Sequence, residues 1–374
     1  MNKESDNELF ASIALGILAR NNPLHILPLI RATGSASVIL ENRNDLPSLV
    51  PEVSPNVSKF FTHVDEAIEI AKREIDFISS KNITPLCYTS SSYPARLRDC
   101  EDAPVVLFSM GNANYNTPKI VSVVGTRNMT SYGQDICNSF ITQLHSQYPD
   151  MLFISGLAYG VDICAHRAAL GCGASTVGVL AHGLDRIYPS IHRHEAAQML
   201  GNGGLITEYV SATTPERFQF LQRNRIIAGL ADAVVVVESA SHGGSMVTAE
   251  IAATYHRDVF SFPGRIFDKY SEGCNRLIRA QKAVALQDAA DFLDAMNWSR
   301  ADHNTSKQLE LFIDYSEEEQ KIIEVLKTSD DSQVNQIVVE TGYPFSKVSS
   351  TLFSLETKGV VKVLGGGRYR LVRR

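Results

Sequence analysis

The sequence is short of positive charge. Its 374 residues carry 35 Lys and Arg against 41 Asp and Glu, a formal net charge of −6. A protein that binds nucleic acid over its whole surface is usually basic, so any contact with a polyanion must be local. There are six cysteines (87, 100, 137, 164, 172 and 274) and no Cys-x-x-Cys pair. Most sit in apolar or helical contexts, the usage expected of reduced thiols in a cytoplasmic protein. The first ten residues are polar and acidic, unlike a secretory signal. No apolar run reaches the ~18 residues of a membrane span. Gly-x-x-x-x-Gly-Lys-Ser/Thr is missing, which speaks against ATP hydrolysis by a P-loop. The glycines at 156 and 160 do not make Gly-x-Gly-x-x-Gly, so no dinucleotide cofactor is expected, and no other cofactor either. His182, His192 and His194 lack a metal-ligand constellation. No Ser-His-Asp or Cys-His nucleophile arrangement is legible.

What the chain does have is a rhythm. Ile120–Arg127, Leu152–Gly160, Thr176–Leu180 and Ala233–Glu238 begin as runs that are apolar on successive positions, and each ends in a small or glycine-rich turn. Strands buried on both faces of a parallel sheet have that pattern. Helix-length segments lie between them. Residues 119–287 therefore read as an α/β core, a Rossmann-like doubly wound sheet, mostly parallel. Ligands of such sheets bind beyond the carboxyl ends of the strands. Here those ends are Gly125–Arg127, Ser155–Gly156, Gly183 and Glu238–Ser245.

Four segments are expected: a helical module over 1–80, the Rossmann-like domain over 81–297, a polar linker over 298–312 and a winged-helix-like module over 313–374. In the first, helices are predicted over Leu9–Leu18, Leu24–Ile30, Ser35–Leu40 and Val64–Ser79, with Pro47, Pro51 and Pro55 marking loops. The pattern suggests a SAM-like or helix-hairpin bundle used for packing or dimerisation. A duplex-backbone contact is the alternative, although Ala19-Arg20-Asn21-Asn22 stands where a glycine hairpin would be needed. Tyr93–Leu97 reads as a turn and Ala103–Phe108 as an edge strand. Helices are predicted over Tyr132–Ser146, Val161–Leu170 and from His242 through Tyr255. In the last module Ser316 and Glu319 have the spacing of a capping box. Helices over Ser332–Thr341 and Pro344–Lys358 precede two strands around a glycine turn, the winged-helix order. From Lys347 onward seven Lys or Arg face one Glu.

Four features converge on the strand ends. A strand that stops at Gly125-Thr126-Arg127 lets amides approach an anion, with Arg127 as a bidentate donor. Ser155-Gly156-Leu157-Ala158-Tyr159-Gly160 puts a hydroxyl and amides at a helix N-terminus. Arg223-Asn224-Arg225 adds two cations near Phe220, an aromatic platform. Gly243-Gly244-Ser245 opens another helix. Anion sites beside an aromatic platform are the footprint of a single-strand binder. Plainer readings stand beside these. Glycine-rich helix starts also serve tight packing. Asp162 suits a helix N-terminus and His166 a packed helix face. Arg223 and Arg225 could form structural ion pairs with Glu208 or Glu238.

These same residues carry a resemblance. Val124-Gly-Thr-Arg127 with Tyr132-Gly133, Ser155–Asp162 with Ala165-His166, Gly183-Leu-Asp185 with Tyr188-Pro189, Arg223–Gly229, Val236-Val-Glu238, Gly244-Ser245 with Thr248-Ala249, and Phe262-Pro-Gly264 with Gly273-Cys-Asn275 resemble, in order, the motifs of the DprA/Smf family. These are the DNA-processing proteins of bacterial natural transformation. The resemblance implies a protein that binds and protects single-stranded DNA, forms a homodimer through its Rossmann-like domain, and loads RecA recombinase, with no catalytic reaction. It implies that Arg127 and Arg225 grip phosphates with Arg223 assisting. It further implies that amides around 155–160 and 243–245 cradle the backbone while Phe220 stacks or orders the pocket. Leu221 stands where the family usually has proline, and Tyr159 where arginine or lysine is common. Two other classes compete. His242–Glu250 distantly resembles the Pro-Gly-Gly-x-Gly-Thr-x-x-Glu signature of nucleotide phosphoribohydrolases, with His242 for the proline and Met246-Val247 for the Gly-Thr pair. A protein-binding scaffold with an inert cleft is the third.

Overall fold

The structure is a computed structural model describing residues 3–20, 23–51, 57–298, 315–327, 332–358, 360–364 and 368–371. The described residues fall into two compact units, divided between residues 299 and 300. Most of the expected linker, the Asn21-Asn22 pair, Pro55 and the glycine turn at 365–367 lie outside the described residues. No helix among those described is long and apolar enough to cross a membrane.

The first unit is built on a nine-stranded sheet: β1 (Thr84–Cys87), β2 (Val106–Gly111), β3 (Ile120–Val124), β4 (Leu152–Ser155), β5 (Ser175–Val179), β6 (Gly203–Thr207), β7 (Ala233–Val236), β8 (Asp258–Ser261) and β9 (Val284–Ala285). The order is β1-β2-β6-β5-β4-β3-β7-β8-β9. All pairs from β6 to β9 are parallel, and β2 runs antiparallel to both of its neighbours. The doubly wound sheet is thus the one expected. β2 is not at the edge, because β1 pairs along Leu86–Cys87 with Leu107–Val106 and covers it. The apolar run at 103–108 shows burial but not which neighbour provides it.

Successive apolar residues exist because the sheet is covered on both faces. In β3, Val121 and Val123 enter one core with Cys137, Phe140 and Phe292, while Ile120 and Val124 enter the other with Ile226 and Ala249. Ser122 between them is satisfied by donating to the Ile227 carbonyl at 2.7 Å.

The first unit begins with α1 (Lys3–Ala19), α2 (Leu27–Thr33), α3 (Ala36–Glu41), α4 (Leu46–Leu49), α5 (Val57–Phe60) and α6 (Val64–Ser80). Two details differ from expectation. The helix expected over Leu24–Ile30 is a 3-10 turn, Pro23–His25, followed by α2, which carries Pro28 in its first turn. Pro47 lies inside α4, again in a first turn, where its missing N–H costs nothing. Ile13, Leu15, Ile26 and Leu27 share a core with Val106 and Phe108 of β2, so these helices pack directly on the sheet domain. Among the later helices are α7 (Ala95–Arg98), α8 (Ser131–Gln147), α9 (Val161–Cys172), α10 (Arg193–Met199), α11 (Arg217–Leu230), α12 (Gly244–Thr254), α13 (Glu272–Arg279) and α14 (Ala289–Ala295). α7 replaces the turn expected at 93–97. Trp298 stacks edge-on against Phe292, so it belongs to the first unit rather than to a linker.

The second unit holds α15 (Glu317–Lys327), α16 (Val334–Thr341), α17 (Phe345–Thr357) and an antiparallel sheet β10-β12-β11 (β10 Ser332–Gln333, β11 Val361–Leu364, β12 Arg368–Leu371). Ile322, Leu326, Ile337, Val348 and Leu352 make its core. Ser316 and Glu319 form the expected capping box at 3.1 and 3.2 Å. The same Glu319 carboxylate takes Ser354 Oγ and Lys358 Nζ, tying α15 to α17 and drawing its pKa down. Ser332 was expected in a helix and is in a strand, because its backbone pairs with Tyr369.

Candidate nucleic-acid interface

The strand order reverses at β3. β4 and β5 wind off one side and β7 lies on the other, so the carboxyl ends of β3, β4, β5 and β7 border the topological switch point of the sheet.

The loop after β3 is fastened at both ends to the end of β7. The Thr126 amide donates to the Glu238 carbonyl at 2.6 Å. The Glu238 carboxylate accepts from the Thr130 amide at 2.9 Å and from Thr130 Oγ1 at 2.5 Å. Thr130 in turn caps α8. Glu238 is therefore occupied with this loop and not with an arginine. Arg127 is left at the loop's apex. It is exposed, lies over the Phe220 ring at 5.6 Å, and makes no hydrogen bond or ion pair among the described residues.

The turn after β4 packs against that loop. Gly160 has φ +74°, and a Cβ there would stand 2.1 Å from the Thr126 carbonyl oxygen, so this position requires glycine. The Val161 amide donates to the same oxygen at 3.1 Å, docking α9 on the Arg127 loop. The amides of Tyr159 and Gly160 make no hydrogen bond among the described residues. Ser155 Oγ donates inward to the Val123 carbonyl at 2.6 Å, so the hydroxyl faces the sheet. Asp162 is buried in the first turn of α9, with Arg223 and Arg127 nearby, yet burial leaves its pKa raised.

Arg223 and Arg225, in the buried half of α11, are not open to a ligand. Arg223 is 4% exposed and donates to the carbonyls of Gly156, at 2.7 Å, and Val179. It clamps the ends of β4 and β5 together, and burial lowers its pKa to about 10. A Cβ at Gly156 would meet this guanidinium at 2.6 Å. Arg225, also 4% exposed, pairs with Glu208 and donates to the Asp102 carbonyl at 2.6 Å. The expectation that Arg225 grips a phosphate thus meets a guanidinium already committed to a buried carboxylate. Asn224 donates to the Gly244 carbonyl at 3.3 Å and so joins α11 to the start of α12. There Gly243 is the N-cap residue and supplies no side-chain cap. Gly243 and Gly244 are exposed, and the amides of Gly244 and Ser245 make no hydrogen bond among the described residues. Ser245 Oγ is buried against Ser239 Oγ at 2.8 Å. The strand ends thus offer the open guanidinium of Arg127, two amide-lined turns and the Phe220 ring. Glu250, the acid of the nucleotide-cleaving signature, is exposed on α12, 3.5 Å from Lys282.

A family model described as DNA recombination-mediator protein A matches residues 84–297. The chain belongs to this family, DprA. The DprA winged helix domain matches residues 313–367. The putative DNA processing protein DprA of Mycobacterium tuberculosis is 34% identical over 284 residues, 75% of this chain and 72% of that protein. The DNA processing protein DprA of Streptococcus pneumoniae is 40% identical over 188 residues, 50% of this chain and 65% of that one. Among solved structures, DprA from Streptococcus pneumoniae aligns with a TM-score of 0.61 at 28% identity, covering 79% of this chain and 98% of that chain. DNA processing protein A from Helicobacter pylori, described for its single-stranded DNA binding mode, aligns with a TM-score of 0.53 at 27% identity, over 59% and 97%.

Two elements of this DprA cleft were not singled out from the sequence. Tyr188 was visible in the Tyr188-Pro189 motif; it is half exposed, with its ring 5.8 Å from Phe220. His192 donates through Nδ1 to the Leu157 carbonyl at 2.8 Å and braces the Gly156–Gly160 turn, a role with no sequence signal. A separate groove of 820 Å³ lies between the N-terminal helices and α11. Its lining mixes Arg20 and His63 with Glu66 and Glu216, and so lacks the single sign that a polyanion selects.

His166 has the packed role allowed for it. Thr176 Oγ1 donates to the Phe153 carbonyl at 3.1 Å, so it accepts from His166 Nδ1–H at 2.7 Å. Nε2 is buried without a partner among the described residues, and burial, with His192 and Arg223 nearby, lowers the pKa from 6.5 to about 3. The folded chain therefore binds fewer protons than the unfolded chain between those values. Stability at neutral pH is lost as pH falls through 6.5 and levels off below about 3. His166→Asn keeps a group near Nδ1 and removes the titration. Urea unfolding from pH 7 to 4 should then show a slope shallower by up to ~1.4 kcal/mol per pH unit. Equal slopes would mean that His166 takes up its proton at the same pH in the folded and the unfolded chain.

Proposed function

We propose that this chain binds single-stranded DNA in the strand-end cleft, protects it and passes it to RecA recombinase, acting as a homodimer through the Rossmann-like domain and performing no chemistry. The observation that carries the reading is Arg127: a cation left unpaired over an aromatic ring at the switch point of the sheet, beside turns with unbonded amides. A polyanion with flat bases is what that combination fits. The DNA-processing names of the relatives and the single-strand binding of the Helicobacter pylori protein support it. On this reading Arg127 and the amides of 159–160 and 243–245 meet the backbone directly, the Ala158 amide being held by Asp162 at 3.4 Å, while Arg223, Asn224 and Arg225 act through the loops they hold. The reading treats 1–80, 81–297 and 313–374 as three modules joined in part by the 298–312 linker; family matches beginning at 84 and 313 support the later boundaries.

Equilibrium binding of fluorescent oligo-dT and a matched duplex across a salt series tests this. The single strand should bind more tightly, with log Kd rising against log salt by about 0.7 for each phosphate neutralised. Indifference to both DNAs would end the nucleic-acid reading. Release of ribose phosphate from a nucleoside monophosphate, abolished by Glu250→Gln, would favour the hydrolase instead. Faster RecA filament growth on oligo-dT with the chain present, and a concentration-dependent dimer in sedimentation, check the partner assignments.

A further inference from the structure

The aromatic platform of the cleft was expected to be Phe220. In the structure that ring is already in use. A guanidinium lies over it from Arg127 at 5.6 Å and from Arg223 at 5.8 Å, and the Tyr188 ring sits 5.8 Å away. On the loops that follow β4 and β5, the open aromatic surface among the described residues belongs to two others. Tyr159 is 48% exposed and Tyr188 is 49% exposed. Each is held by one ring neighbour: Tyr159 packs edge-on against His192 at 5.2 Å, and Tyr188 tilts against Phe220. They stand on the loops that follow β4 and β5, which are adjacent strands. The loops are tied together by the His192–Leu157 hydrogen bond and by the Arg223 clamp on Gly156 and Val179. Two open rings on a braced surface, beside an unpaired cation, are a stacking site with little rotamer freedom left to lose.

We propose that Tyr159 and Tyr188 are the base-stacking residues of this cleft, and that Phe220 positions Arg127 and Tyr188 rather than meeting a base. The proposal rests on the single-strand reading and assigns it two base subsites. It also gives a reason for a tyrosine at 159: the turn holds a ring where a further cation would add only backbone attraction. Stacking is indifferent to base identity, because every base has a π-face, so the site takes single strands of any sequence.

The test compares oligo-dT with an abasic deoxyribose-phosphate strand of equal length, binding each to wild type and to variants. Each stacked base should be worth about five- to hundredfold in affinity, so wild type should prefer oligo-dT by at least that. The Tyr159→Leu/Tyr188→Leu chain should lose most of the preference and keep its salt slope, since phosphate contacts remain. Tyr159→Phe/Tyr188→Phe should retain both. Thermal melts of each variant identify any that fail to fold, and for those the single substitutions serve. A double leucine variant that keeps the preference overturns the proposal. Phe220→Leu should lower the preference only through Tyr188, since Tyr159 leans on His192, so a loss as large as that of the double leucine variant overturns it too. Wild type binding both strands equally overturns stacking and leaves strand binding intact. Wild type binding neither ends the single-strand reading and the proposal with it.

Discussion

Arg127→Ala should weaken oligo-dT binding by about tenfold to a hundredfold at moderate salt, the range for losing one charged hydrogen-bonding contact. It should also flatten the log–log salt dependence by about 0.7, because one fewer counterion is released from a single strand. Both effects follow from the geometry. Arg127 is exposed and unpaired, so no protein carboxylate must be displaced when a phosphate arrives. Its backbone is set by Thr126 and Thr130 on Glu238, so the loop keeps its shape without the side chain. Folding stability should therefore stay within about 0.5 kcal/mol of wild type, as for other surface substitutions. Arg127→Lys should recover the salt slope but not all of the affinity, since lysine lacks the bidentate fork. A variant that binds as tightly as wild type, with the same slope, would move the DNA site elsewhere.

The opposite behaviour is expected two residues past the clamp. Arg225→Met should destabilise the fold by about 3–5 kcal/mol, because it leaves Glu208 as an uncompensated buried charge. The pair is buried on both sides, and among the described residues Glu208 Oε1 and Arg225 Nε have no hydrogen-bond partner. Burial pushes the Glu208 carboxyl up, while Glu208 holds Arg225 charged. An incompletely satisfied buried pair adds little over apolar residues of the same volume. Arg225→Met with Glu208→Leu should therefore recover most of what the single change loses. Urea unfolding of the two singles and the double measures this directly. If Arg225→Met unfolds like wild type but loses oligo-dT affinity, the pair opens for DNA and Arg225 is a phosphate ligand after all.

The contrast between Arg127 and Arg225 shows where sequence reasoning was sound and where it stopped. The apolar runs at 120, 152, 176 and 233 needed no tertiary knowledge, since only a sheet covered on both faces accounts for them. That Gly125–Arg127 ends a buried strand followed from the same rhythm, while its place at the switch point came from the strand order. The Ser316–Glu319 capping box was legible because both partners lie within one turn. One further step was available and missed. Arg223 and Arg225 stand on α11, and residues two apart on a helix do not share a face. Both cannot point into one cleft, and neither is open to it.

The sequence by itself therefore determined a mostly parallel sheet with helices between its strands, the strand ends where a ligand would sit and the family motifs that occupy them. These depend on local pattern and on the chain's own succession of elements. Which charges remain free was decided by the tertiary structure. A guanidinium's availability depends on what the fold brings beside it from far along the chain: Glu208 and Asp102 for Arg225, Gly156 and Val179 for Arg223, and for Arg127 the attraction of Asp162 without a direct ion pair among the described residues. Burying a charge requires a partner, and that partner comes from whichever strand end or loop packing sets opposite it.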